Sequence, residues 1–213
     1  MTLIPGSEVL STTLHAISQS LLIPVIVVLL IFMIYSVMLF GEFMAEYSGR
    51  TKINSKELQK IITEISNKRS NEVLESINKL NIPKSYIKII EESDLNESAD
   101  HKLREANART ILEKEELRLE KTLEKTDFIT RLGPTFGLMG TLIPMGPGLA
   151  ALGAGDVTSL ANAIIIAFDT TVVGLAAGGI CYVISKIRRR WYEEQMYNLE
   201  SILESFLEAL KND

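Results

Sequence analysis

The sequence has a single cysteine, Cys181, and two histidines, His15 and His101, among 213 residues. One thiol excludes an internal disulfide framework, and two histidines so far apart exclude a Cys/His zinc cluster. No Ser/His or Cys/His constellation for nucleophilic chemistry is present. The short run Gly146-Pro147-Gly148 lacks the lysine and strand context of a phosphate loop. An enzyme is therefore not expected, and neither a resident metal nor a cofactor. Positive charge is missing over long stretches. The first 49 residues contain no Lys or Arg, and Leu132 to Ser185 contains none either; seventeen basic residues lie between Arg50 and Arg131 and five between Lys186 and Lys211. A soluble domain has no reason to segregate charge in this way, whereas a membrane does. The balance of 22 Lys+Arg against 27 Asp+Glu, net −5, with uncharged gaps, argues against nucleic acid as the main partner.

The first uncharged stretch runs from Val9 to Gly41, and its core, Leu21 to Phe40, is apolar enough and long enough to cross a hydrocarbon layer of ~30 Å. It lacks the basic start and short apolar region of a signal peptide, so it reads as an uncleaved span. Leu132 to about Gly148 is a second, Gly/Pro-rich candidate span, and about Thr158 to Ser185 is a third, with Asp169 as its one ionisable acid. Basic residues collect on the cytoplasmic side of short flanking segments. Arg50 and Lys52 follow span one, Lys125 and Arg131 precede span two, and Lys186, Arg188, Arg189 and Arg190 follow span three. This pattern predicts an N-terminus outside, a C-terminus inside, and the three arginines as anchors at the membrane interface. The expected fold is an all-α membrane protein of three transmembrane helices with long cytoplasmic helical extensions. Its expected parts are an extracytoplasmic segment 1–19, spans 20–41, 132–150 and 158–185, a cytoplasmic helical domain 42–131, an outer turn 151–157, and a C-terminal amphipathic helix 186–213.

Between Glu42 and Arg131, seventeen basic and eighteen acidic residues make a highly charged, nearly neutral block. Leu58, Ile61, Ile62, Ile65, Val73, Leu74 and Ile77 recur at helical spacing and predict a helix from Ser55 to Leu80 that stops near Asn81 and Pro83. A second helix, from about Lys84 through Phe128, carries many i,i+4 opposite charges and meets no breaker before Gly133-Pro134, so it should enter span two as one helix. Tyr192, Gln195/Met196, Leu199, Ile202, Phe206 and Leu210 give the C-terminal segment the stripe of a helix packed on other helices.

In span two, Pro134, Gly137, Thr141, Pro144 and Gly148 fall within about 80° of one another. In span three, Ala163, Ala167, Thr170, Thr171, Gly174 and Gly178 fall on a stripe about 100° wide. Small residues at this spacing let helix backbones approach closely, as a plain helix–helix interface or as the lining of a conduit. Thr141 is about 15 Å beyond Arg131, and Thr171 about 22 Å from either flank of its span, so both hydroxyls fall near mid-membrane and could sit level. Asp169 is the costly residue, because an ionised carboxylate near a bilayer centre costs at least ~2.5–3.5 kcal/mol. It points about 160° away from Thr171 and shares a face with Asn162 and Thr158. It is therefore either an ion-handling group or a protonated, hydrogen-bonded packing residue.

Pro134-Thr-Phe-Gly-Leu-Met-Gly-Thr141 resembles the P-x-x-G-L-x-G-T segment of the MotA/TolQ/ExbB proton-channel family. Ala167-Phe-Asp-Thr-Thr171-Val-Val-Gly174-Leu-Ala-Ala resembles that family's A-L-x-x-T-x-x-G-L-x-x-A segment. The likeness covers roughly 130–190, and the three-span topology is similar to the TolQ and ExbB branch. The resemblance implies a homopentamer around the single transmembrane helices of a dimeric MotB/TolR/ExbD-like partner that carries a transmembrane Asp, with H+ or Na+ flow turned into mechanical work. It also implies that Thr141 and Thr171 line the ion pathway, and that Pro134 is the proline at the inner end of span two. The branch often has a Glu just before the Ala of the span-three motif; here that position is Ile166, and the nearest acid is Asp169. A non-conducting membrane scaffold whose cytoplasmic helices recruit other proteins is the alternative reading.

Overall fold

A computed structural model describes residues 7–50, 55–66, 86, 87, 89 and 101–211. Among these there are helices and no strands: α1 Ser7–Ser20, α2 Leu22–Gly49, α3 Ser55–Ser66, α4 His101–Gly153 and α5 Val157–Lys211. Three helical stretches, Glu8–Gly49, Lys102–Gly153 and Val157–Ala209, are long and apolar enough to cross a membrane. The expected helix periodicity at Val73, Leu74 and Ile77, and the stop at Asn81 and Pro83, lie outside the described residues.

The chain divides into two compact units, Met1–Glu46 with Glu124–Lys186 and Tyr47–Leu123 with Ile187–Asp213. In the first, α2 buries one stripe, Val25, Leu29, Phe32, Ser36, Leu39 and Phe43, at steps of three and four residues, while Ile23, Ile34 and Met38 stay exposed. Val25, Leu29 and Ile143 form a small core, with Leu22, Phe136, Met139 and Val173 packed around it. Phe32 sets its ring edge-on to both Phe128 and Phe136, with centroids 6.0 and 5.7 Å away.

The segment preceding span one is itself a helix, which the uncharged stretch from Val9 did not reveal. The break between α1 and α2 at Leu21 has a local cause. Pro24 has no N–H to donate to the Ser20 carbonyl, and its ring crowds that oxygen. The Leu21 N–H bonds to the carbonyls of Ile17 and Ser18, and the Ser20 hydroxyl donates to the carbonyls of Ala16 and Ile17.

Helix α4 continues through Pro134, Pro144 and Pro147. Each proline leaves the carbonyl four residues earlier without its helical donor, and in a membrane that oxygen needs another neighbour. For Pro147 the freed carbonyl is that of Ile143, and the Gln19 side-chain amide donates to it at 3.1 Å. For Pro134 it is that of Thr130, against which Gly178 packs closely. The α4–α5 turn spans three residues. Gly155 adopts φ +84°, the Asp156 N–H reaches back to the Ala151 carbonyl at 2.9 Å, and the Gly155 N–H to that of Leu152 at 2.9 Å. This is a Schellman closure of α4. Asp156 then caps α5, accepting from the Ser159 N–H at 3.0 Å and from its hydroxyl; these bonds hold its carboxyl below the usual carboxylate range.

In the second unit, Leu58, Ile61 and Ile65 of α3 pack with Tyr86, Ile89, Ala108, Leu199, Ile202, Leu203 and Phe206. The periodic apolar positions read for α3 and for the end of α5 supply this core. The Tyr86 hydroxyl donates to the Gln195 carbonyl at 2.9 Å, and burial pushes the phenol well above its ordinary value, with Arg50 opposing. Arg50 bonds Glu194 at 2.8 Å and lies 4.7 Å from the centre of the Trp191 ring.

Candidate functional site

The small-residue stripes of α4 and α5 face each other in the first unit. A Cβ on Gly133 would lie 2.8 Å from the Gly174 carbonyl, one on Gly137 3.2 Å from that of Thr170, and one on Gly174 2.5 Å from the Gly133 carbonyl. Gly140 faces the Thr170 side chain, Gly148 faces the Ala163 methyl, and Gly178 lies on the Pro134 ring. Ala167 and Thr170 are also buried in this seam. The stripes are thus a helix–helix interface, and backbone-to-backbone contact is what the glycines permit. Gly133 and Gly140 belong to it although the sequence arc did not include them; the pattern Gly133, Gly137, Gly140 at steps of four and three was the available signal.

These contacts fix an antiparallel register in which Gly133 opposes Gly178, Gly137 opposes Gly174, and Gly148 opposes Ala163. In that register Thr141 and Thr171 stand at the same level. Both are half-buried, and both hydroxyls donate to their own helix, to the Leu138 carbonyl at 2.7 Å and the Ala167 carbonyl at 3.0 Å. Each oxygen keeps its lone pairs for a further donor or a cation.

The α4–α5 pair has two flanks. With Gly137 pointing at α5 and about 100° per residue, Thr141 sits near +40° on α4, whereas Phe136 and Ile143 sit near −100° and −120°. With Thr170 pointing at α4, Thr171 sits near +100° on α5, whereas Val173 and Asp169 sit near −60° and −100°. Because the two helices are antiparallel, the positive flanks coincide. Phe136, Ile143 and Val173 are the residues that meet α2. Helix α2 therefore packs on Phe136, Ile143 and Val173 on the negative flank, beside Asp169 but without covering it, and Thr141 and Thr171 share the positive flank that α2 leaves open. Asp169, Asn162 and Thr158 are exposed on the first unit's surface.

A family model, the MotA/TolQ/ExbB proton channel family, matches residues 78–201. The chain belongs to that family. No curated protein matches the chain. Membership in a proton-channel family, together with three helices able to span a bilayer, makes this a multi-pass membrane protein of a channel family and not of an enzyme family. The register sets level Thr141 and Thr171, the two threonines of the segments that resemble that family's motifs. Pro134, Gly137, Ala167, Thr170, Gly174 and Gly178 all sit in or against the α4–α5 seam.

Arg188, Arg189 and Arg190 part company. Arg188 is buried, at 4% exposure, on the stripe that continues from Cys181, Ile184 and Ser185, and Arg189 and Arg190 are exposed. One further polar pair was not legible in the sequence. The Ser185 hydroxyl donates a hydrogen bond to the Asp127 carboxylate, across α4 and α5 at the end of the pair near Arg131 and Lys186.

Proposed function

We propose that the chain is the ring-forming subunit of an ion-driven motor in the inner (cytoplasmic) membrane. Five copies surround the transmembrane helices of a dimeric, single-span MotB/TolR/ExbD-like partner, and H+ or Na+ passing along the interface drives relative movement that the partner delivers as work. The membrane-embedded parts are 20–41, 132–150 and 158–185, with the N-terminus outside and the C-terminus inside. The single observation that supports this reading is the pairing of Thr141 and Thr171 at one level, half-exposed, on the flank not taken by α2.

That flank suits an axial helix carrying a carboxyl group. A protonated partner carboxyl can donate to a threonine oxygen, and an ionised one can accept from a hydroxyl that swings away from its own helix. The same oxygens can coordinate a partly dehydrated cation. On the opposite flank, Asp169 with Asn162 and Thr158 is exposed and acts as a protonated, hydrogen-bonding packing residue, because an ionised carboxylate facing lipid would cost at least ~2.5–3.5 kcal/mol.

The test begins with native mass spectrometry of the detergent-extracted complex, co-expressed with the product of the neighbouring reading frame. A 5:2 mass supports the motor. A homo-oligomer that excludes the second chain supports the scaffold reading and removes the partner carboxyl from the mechanism. Thr171→Val should abolish ion-driven work while leaving the assembly intact, and Asp169→Asn should be tolerated. Strong activity loss in an assembled Asp169→Asn complex would return Asp169 to the ion path.

A further inference from the structure

In the second unit, α4 and α5 carry two exposed faces of opposite charge. On α4, Lys114, Leu117, Arg118 and Lys121 are all exposed and fall within about 100° of one another. That face is turned about 150° from Ala108 and Leu112, which line a groove with α5. On α5, Glu193, Tyr197, Glu200 and Glu204 are exposed and fall within about 60°. No Lys or Arg lies between Arg190 and Lys211. Like charges four residues apart, as in Lys114/Arg118 and Glu200/Glu204, weaken a lone helix. Arg118 bonds Glu115 at 3.2 Å, but Lys114, Lys121, Glu193 and Glu200 make no hydrogen bond or ion pair among the described residues. Each face also holds a large exposed side chain between its charges, Leu117 at 57% and Tyr197 at 66% exposure.

The two faces stand at one level. Residues 105–112 of α4 and 200–208 of α5 line the same groove, and the two helices run antiparallel. Carried on at about 1.5 Å per residue, that register sets Lys114 level with Glu200, Leu117 with Tyr197 and Lys121 with Glu193, each within about 3 Å along the axes. The α4 face points away from α5, so these pairs cannot form within one chain. Copies inserted in one membrane stand at one height, and a ring can set α4 of one copy beside α5 of the next. The same three pairs then meet between copies, base on acid at both ends and Leu117 on Tyr197 between them. A two-fold contact of α4 on α4, or of α5 on α5, would instead oppose like charges.

We infer that the Lys114–Leu117–Lys121 face of α4 docks on the Glu193–Tyr197–Glu200 face of α5 in a second copy of this chain. This rests on the several-copy reading above and names the surfaces by which neighbouring copies recognise each other. The contact is heterologous, each copy offering one face and receiving on the other, which is the kind of interface that closes into a ring. Its exposed ion pairs fix orientation and exclude the wrong neighbour more than they add affinity, and salt weakens them. The apolar pair between them is the part that leaves water.

The test uses the full chain in its membrane, co-expressed with the product of the neighbouring reading frame. Cys181→Ala removes the one native thiol, and native mass spectrometry of the extracted complex gives the copy number. Leu117→Cys combined with Tyr197→Cys, treated with a short bifunctional thiol reagent, should give a ladder of covalently joined chains on a denaturing gel. Either cysteine alone should give none, because a heterologous contact does not set a residue against itself. Adding Lys114→Glu and Lys121→Glu should cut the ladder about tenfold, as like charges are then forced together. Adding Glu193→Lys and Glu200→Lys to that variant should restore it. A native-mass ring that yields no ladder would give both faces to some other occupant, overturning the inference while leaving the motor reading standing. A ladder indifferent to charge reversal would overturn it as well. A chain that is monomeric by native mass would remove the motor reading and this interface together.

Discussion

Replacing Gly174 with alanine adds one methyl at the tightest point of the α4–α5 seam. The new carbon would lie 2.5 Å from the Gly133 carbonyl oxygen and 2.9 Å from the Gly137 Cα, and all of these neighbours are backbone. Ordinary contact begins at 3.4 Å, so the helices must separate locally by about 0.9 Å; a radial gap of ~0.5–1 Å forfeits roughly a quarter to a half of the dispersion attraction across it. Overpacking of this kind costs ~1–3 kcal/mol. For a chain of this size that corresponds to a fall in Tm of roughly 2–12 °C. The control is Gly179→Ala. Gly179 is on the exposed face of the same helix, with nothing within 4 Å of an added Cβ, and alanine there gains helix propensity. Thermal unfolding followed by the helical circular dichroism signal in detergent compares the two. A Gly174→Ala protein as stable as Gly179→Ala would refute close backbone contact, and with it the register that sets Thr141 level with Thr171.

Gln19→Leu should destabilise the protein by ~1–3 kcal/mol, because the Ile143 carbonyl freed by Pro147 loses its donor. Most of that loss should vanish in a Pro147→Ala background, which restores the helical N–H; additive effects in this double-mutant cycle would break the link between the two residues. Tyr86→Phe should cost ~0.5–1.5 kcal/mol by removing the bond to the Gln195 carbonyl, measured by denaturant unfolding; an unchanged midpoint would show that bond to contribute nothing. The Asp156 carboxyl is held low by Ser159, so its contribution is present above the ordinary carboxylate pKa and fades as pH falls through the depressed value. Ser159→Ala should therefore flatten the acid limb of a stability–pH curve, and an unaltered limb would show the cap to be energetically silent.

Much of this architecture is written in the chain. The charge-free stretches fall within the three helices that are long and apolar enough to cross a membrane, and the absence of a breaker before Gly133 anticipated the continuity of α4 from His101 into the apolar segment. The three- and four-residue steps of Leu199, Ile202 and Phe206 marked a face that is fully buried. Other features depend on which helices meet. The seam on α4 is centred on Gly133, Gly137 and Gly140, because backbone contact with Gly174 selects residues with no side chain; the helical projection of the sequence draws it toward Pro134 and Thr141. Opposition of Asp169 and Thr171 followed from helical geometry alone, but no periodicity says which of the two flanks α2 covers. Asp127 and Ser185 are 58 residues apart, and only the α4–α5 register brings them together. Arg188 looked like its two neighbours until the buried face of α5 included it.

The three-residue turn and the glycine seam also bear on how the protein is made. The best α4 window has a mean hydropathy of 1.3, against 2.9 for the first helical stretch and 1.9 for α5, and α4 carries three prolines. Alone at the translocon, α4 is the weakest of the three candidates for partitioning into lipid. With only Ala154, Gly155 and Asp156 between them, α4 and α5 can leave as a preformed helical hairpin, each covering the other's exposed backbone before either meets lipid. Biogenesis would then proceed in two installments, one helix and then a pair, and a substitution that opens the seam would surface first as a failure of insertion, with degraded protein, and only afterwards as a loss of activity.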